Sequence, residues 1–75
     1  MQRQTFIDHM KERGYDITRK PNGTIKATKG GITVRWVPLA DYGVYIKTST
    51  VTAITAKDAT DAETLHIIDI LTVQP

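Results

Sequence analysis

Apolar positions in this chain recur first at helical spacing and then at every second residue. Phe6, Ile7 and Met10 predict a short first helix. Thr5 is placed to cap it, with Asp8 three residues on, near the positive helix end. Lys11 and Arg13 suit its C-terminal end, and Gly14 supplies a left-handed stop. From Tyr15 the period falls to two. Tyr15–Lys20, Thr24–Lys29, Ile32–Val37 and Val44–Ser49 are rich in Ile, Val, Thr and Tyr and bounded by turn residues, which predicts four strands in a meander. Thr60-Asp61-Ala62-Glu63 then forms a capping box ahead of Leu65, Ile68 and Leu71, a second helix.

The turns set the register. Gly30-Gly31 reads as a two-residue hairpin loop, since both glycines accept positive φ. It places Lys29 opposite Ile32, Ala27 opposite Val34 and Ile25 opposite Trp36. Pro21-Asn22-Gly23 fits a three-residue loop closed by Gly23, which sets Lys20 against Thr24, Thr18 against Lys26 and Ile17 against Ala27. Around the loop 38–43, an apolar core face is kept by matching Trp36 with Ile46, and Arg35 then faces Lys47. Ile17, Ile25, Ala27, Ile32, Val34, Trp36, Val44 and Ile46 become the core face, with Trp36 buried.

Between this meander and the second helix lies Thr48–Thr55, eight residues without charge, Gly or Pro. The inward phase of Val44 and Ile46 does not continue into Val51 and Ala53, so a bulge, a bend or a fifth strand is required near Thr50. An extension of the fourth strand is the expected form. An uncharged run of this kind can also pair with a second copy or another protein by strand addition. The expected architecture is α+β, α-β-β-β-β-α, an antiparallel four-stranded meander with both helices packed on one face, in a single domain over residues 1–75.

Charge turns this layout into a statement about partners. The net charge is only +2, but seven of the ten basic residues and one of the eight acidic ones lie between Ile17 and Lys57, so that stretch carries 7 − 1 = +6. Residues 58–75 carry −4. On the face opposite the core, Lys26, Arg35 and Lys47 are expected to form a row across three adjacent strands, with Lys20 nearby and no acid within the row. Such a row suits phosphates, with Thr and Ser hydroxyls donating to backbone oxygens and Tyr45 offering a stacking surface. Lys20, Lys26, Arg35, Tyr45 and Lys47 are therefore the candidate nucleic-acid-binding residues. The same side chains also serve as the hydrated cover of a one-sided sheet.

Catalysis has little support. His9 and His66 lack a matched third metal ligand, Gly30-Gly31 is a hairpin and not a nucleotide loop, and Asp41 and Tyr42 read as turn formers. No metal, cofactor or enzymatic activity is expected. The chain has no cysteine, hence no disulfide, and no apolar run long enough for a signal peptide core or a membrane span, which favours the cytoplasm.

Two resemblances follow from particular residues. Phe6 to Tyr15, with its Lys-Glu-Arg-Gly-Tyr ending, resembles the first helix and exit of the double-stranded-RNA-binding domain. That family grips RNA through a lysine cluster opening its last helix, where this chain has Asp58-Ala-Thr-Asp61-Ala-Glu63. Residues 15–73 resemble the arm-site DNA-binding domain of phage-type integrases, which lays a three-stranded sheet face in the major groove. That resemblance implies Lys26, Arg35 and Lys47 as the DNA-facing row, and small basic domains of this kind also occur among phage and mobile-element accessory proteins. The expected function is a small non-catalytic nucleic-acid-binding accessory domain using its basic sheet face. The alternative is a protein-interaction module, a homodimer or an inhibitor of another protein, acting through the edge at 48–55.

Overall fold

Residues 1–73 are described by a computed structural model. The chain runs α1 (Arg3–Glu12), β1 (Asp16–Arg19), β2 (Ile25–Lys29), β3 (Ile32–Trp36), β4 (Tyr42–Lys47), β5 (Thr52–Ala56), α2 (Asp61–Leu71). The strands form one antiparallel sheet in the order β1-β2-β3-β4-β5. The class is α+β as expected, with five strands rather than four, and two more than the three-stranded sheet of the integrase arm-site domain.

Helix α1 buries Phe6, Ile7 and Met10. Its C-terminal end is a Schellman motif: Gly14, at φ 84°, donates to the Lys11 carbonyl, and Tyr15 donates to the Met10 carbonyl. Tyr15 and Met10 are both buried. The start differs from expectation. The helix begins two residues ahead of Thr5, with Gln2 at the cap position making no side-chain cap bond. Tertiary anchoring replaces the cap: the Trp36 indole Nε1–H donates to the Met1 carbonyl at 3.2 Å, and the Met1 ammonium lies 3.5 Å from Asp61. Trp36 itself is half-buried at the rim of the core, not enclosed, with the Arg3 guanidinium 5.8 Å from its ring centroid.

Both early hairpins have the expected register. Lys20 and Thr24 close the Pro21–Gly23 loop, Gly23 has φ 88°, and Thr18 faces Lys26. At the next turn only Gly30 takes positive φ, 56°, the type II′ arrangement with glycine first. Ile25 faces Trp36, and Lys26 faces Arg35. The β3–β4 register is shifted by two residues from expectation: Trp36 pairs with Val44, Val34 with Ile46, Arg35 with Tyr45 and Thr33 with Lys47. A shift of two leaves every side chain on its expected face, because strand side chains alternate with period two. Tyr42 and Gly43 extend β4 beyond that ladder, with Tyr42 paired to Ala56 of β5 on the other side.

Thr48–Thr55 is not an extension of β4 but a hairpin into β5. The Thr48 N–H donates to the Val51 carbonyl at 2.8 Å, and the Thr48 hydroxyl accepts from the Thr50 and Val51 N–H groups. The Thr48 hydroxyl thus makes the turn that elsewhere needs Gly or Asn. Ala53 pairs with Ile46, which resolves the phase break. Between Tyr42 and Tyr45 the β4–β5 ladder is irregular: Ala56 opposes Tyr42 and Ile54 opposes Tyr45, so β4 holds one extra residue there, a β-bulge.

Both helices cover the same face. Phe6, Ile7 and Met10 from α1 and Ile68 from α2 join Ile25, Ala27, Val34, Val44 and Ile46 in one core. Helix α1 lies over β1 and β2, and α2 over β4 and β5. The helices run parallel, N-terminus beside N-terminus through Met1 and Asp61, and C-terminus beside C-terminus through Asp69. There Asp69 accepts from Arg13 Nε at 2.9 Å and Nη2 at 3.1 Å and lies 2.9 Å from His9 Nε2. Partial burial works to raise the Asp69 carboxyl, but the hydrogen bonds and electrostatic pull of His9 and Arg13 outweigh it and hold the group below the usual aspartate value. The Thr60–Glu63 capping box is present, each side chain accepting from the other's backbone. No helix among the described residues is long and apolar enough to cross a membrane.

Candidate nucleic-acid interface

Because both helices cover one side of the sheet, the other side is open. Alternation puts Lys20, Lys26, Arg35, Tyr45 and Lys47 all on it, away from Trp36 and the core. Their arrangement differs from a simple row. Lys26 and Arg35 are directly opposite on β2 and β3. The next position on β4 is Tyr45, and the Arg35 guanidinium lies 5.2 Å from its ring centroid. Lys47 sits across from Thr33, at the far end of β4, and does not continue the row. The expected Arg35–Lys47 opposition is absent because of the two-residue register shift.

The cations gather instead around a depression. Lys20, Pro21, Asn22, Thr24, Lys26, Arg35, Val37 and Tyr42 line a shallow cavity of about 570 Å³. Three successive strands and one hairpin contribute, so the spacing of the charges is set by the ladder and not by flexible loops alone. Lys26 approaches Arg35 against mutual repulsion, at a cost of about 0.2–1 kcal/mol for directly opposed like charges, less where salt screens them. No carboxylate lines the cavity. One acid does share the open face: Asp16, opposite Thr28 at the distal end of β1, so with Lys20, Lys26, Arg35 and Lys47 that face carries 4 − 1 = +3.

Tyr42, a turn former by its sequence context, lies instead within β4. The bulge that adds one residue between Tyr42 and Tyr45 brings it to the open face beside the cavity. A glycine following an aromatic residue inside an alternating run is the available signal for such a bulge. Gly43 is required there, because a Cβ at that position would collide with the Thr55 hydroxyl and lie 3.0 Å from the Ala56 carbonyl. That hydroxyl, buried, accepts from the Val44 N–H at 2.9 Å. Ile54 on β5 is an open-face residue that the expected four-stranded pattern does not contain. It pairs with Tyr45 and is 59% exposed.

The chemistry available is that of fixed cations, an amide and a hydroxyl (Asn22, Thr24) and aromatic rings, which suits recognition of phosphate and sugar oxygens. Asn22 Oδ1 already accepts from the Thr24 N–H at 3.0 Å, which leaves its amide nitrogen as the donor of that side chain. The chain matches no protein-family model, and no curated protein or solved structure matches it either.

Proposed function

We propose that this protein binds nucleic acid without catalysis, seating the phosphate backbone on the open sheet face. Lys20, Lys26 and Arg35 are the principal contacts, and Lys47 is an outer one. The observation that carries this reading is the convergence of those three cations, from two adjacent strands and the hairpin that precedes them, on one cavity with no carboxylate in its lining. Holding Lys26 opposite Arg35 costs stability in the free protein, and a polyanion removes that cost on binding. In this reading Tyr45 orients the Arg35 guanidinium rather than presenting a bare ring to a base.

A salt titration with duplex oligonucleotides tests it. Three phosphate contacts give a slope of log K against log salt of about −2.7, at about 0.9 per contact, so affinity drops about 40-fold between about 50 and about 200 mM salt. Lys20→Ala, Lys26→Ala and Arg35→Ala should each make the slope shallower by about 0.9, uniformly across sequences. Absence of binding to any oligonucleotide at low salt, or slopes that ignore these substitutions, refutes the reading.

A further inference from the structure

We infer that the free edge of β5 is a dimerisation edge, and that a second copy of this chain pairs with it antiparallel about a two-fold axis through Ile54. This stands apart from the nucleic-acid reading and uses a different part of the surface.

The two edges of the sheet are unlike. Edge β1 is Asp-Ile-Thr-Arg, charged at both ends and followed by Lys20-Pro21, the kind of strand that resists pairing with another chain. Edge β5 is Thr-Ala-Ile-Thr-Ala, with no charge and no proline. The Thr48–Val51 hydrogen bond fixes which backbone groups of β5 point outward. Antiparallel bonds alternate along a strand, so Val51 and Ala53 face β4 and Thr52 and Ile54 present N–H and C=O to the free edge. A strand with outward-facing groups at Ile54 can pair with its own copy there: each Ile54 donates to and accepts from the other. Thr52 then stands opposite Ala56 of the second copy, and Ala53 opposite Thr55. The flanking Lys57 falls opposite Val51 of the second copy, so no like charges meet.

What lies on either side of that edge favours a second copy as the occupant. On the open face, Ile54 is 59% exposed and meets its own symmetry mate. On the helix side, Asp69 points toward α1 and Thr64 and Ile68 toward the sheet, so the helical period turns Ile67 to the flank over β5, with Ile70 on the outer shoulder of the same side. Ile67 is half-buried and Ile70 is 55% exposed. The spacing fits. Helix α2 lies over β4 and β5, and with strands about 4.8 Å apart the two copies of α2 would run about 10 Å from each other, the distance of packed helices. One two-fold operation thus satisfies the edge hydrogen bonds, covers Ile54 and brings Ile67 and Ile70 against their copies, as an isologous interface must.

The test uses the full chain. Sedimentation should show a monomer–dimer equilibrium with a midpoint on the order of 10–100 µM, as expected of a small seam. Ile54→Lys, which sets a charge against itself across the axis, should give monomer at every concentration with an unchanged circular dichroism spectrum. Thr52→Pro removes only an outward N–H and should do the same. Ile54→Cys provides a positive readout: hydrogen-bonded antiparallel partners have Cα atoms about 5.5 Å apart, within disulfide range, so mild oxidation should yield covalent dimer, while Thr33→Cys in the middle of the sheet should not. A folded wild type that stays monomeric at millimolar concentration overturns the proposal. So does a dimer that survives Ile54→Lys, or one that Ile54→Cys fails to lock.

Discussion

Replacing Gly43 with alanine should remove a large part of this protein's stability, and the structure allows the loss to be worked out. The new Cβ would strike the Thr55 hydroxyl, which must move away from the Val44 N–H it now accepts from at 2.9 Å. A buried donor left unpaired costs about 1–3 kcal/mol. Forcing atoms into a filled space adds about 1–3 kcal/mol, and the Ala56 carbonyl at 3.0 Å limits any escape. The expected loss is therefore about 2–6 kcal/mol, against a total of about 4–11 kcal/mol for a chain of this length. Urea unfolding followed by Trp36 fluorescence measures it. A double-mutant cycle isolates the cause. Thr55→Ala alone gives up the Val44 bond, but in that background Gly43→Ala no longer meets a hydroxyl, so the double variant should be at least about 1 kcal/mol more stable than the sum of the single losses implies. An unchanged midpoint for Gly43→Ala, or strict additivity in the cycle, refutes this account of the bulge.

Two more outcomes follow from the charge geometry. Lys26→Ala should leave the fold intact and stabilise it by about 0.2–1 kcal/mol by relieving Arg35, whereas Lys47→Ala, across from Thr33, should leave the unfolding midpoint unmoved. Equal gains for both would mean the β3–β4 register is wrong. For Asp69 the depressed carboxyl fixes the sign: its contribution is fully present above the unfolded aspartate value of about 4 and is lost as pH falls through the lower folded value. Asp69→Asn should therefore cost stability at neutral pH and flatten the acid limb of a stability–pH curve; parallel curves for variant and wild type would exclude the His9–Asp69–Arg13 cluster as a contributor.

Much of the architecture was legible in residues whose backbone demands are narrow. Gly14, Gly23 and Gly30 each occupy positive φ, and they located a helix end and two hairpins together with their registers. The capping box outweighed the β-branched run Ile67–Ile68 and marked α2 correctly. Where the pattern misled, two arrangements shared one signature. Shifting β3 against β4 by two residues changes no side chain's face, so alternation could not separate Lys47 from Tyr45 as the partner of Arg35. The β4–β5 turn relies on the hydroxyl of Thr48, a residue type that is also favourable in strands, so Thr48 to Thr50 concealed a reversal. Thr5 has the chemistry of a cap, but the start of α1 is held by Trp36 and Asp61, far along the chain. The candidate site was legible as to face and residue type. Its centre was not, because Tyr42 reaches the cavity only through a bulge whose single mark in the sequence is Gly43.

The order of strands along the sheet is the order along the chain, and this separates the fold into two classes of contact. Every strand pairs only with its neighbours in sequence, whereas Asp69 meets Arg13 and His9 across 56 and 60 residues. Closing a 60-residue segment costs about 2 kcal/mol more chain entropy than closing a hairpin of seven, so the meander can assemble well before the helices meet. Through that interval Ile25, Val34 and Ile46 face water on an uncovered sheet, and strand β5 has a free uncharged edge beside them. Refolding at high dilution, where encounters between chains are slower than the docking of α1 and α2, is the regime in which this sequence is protected from itself.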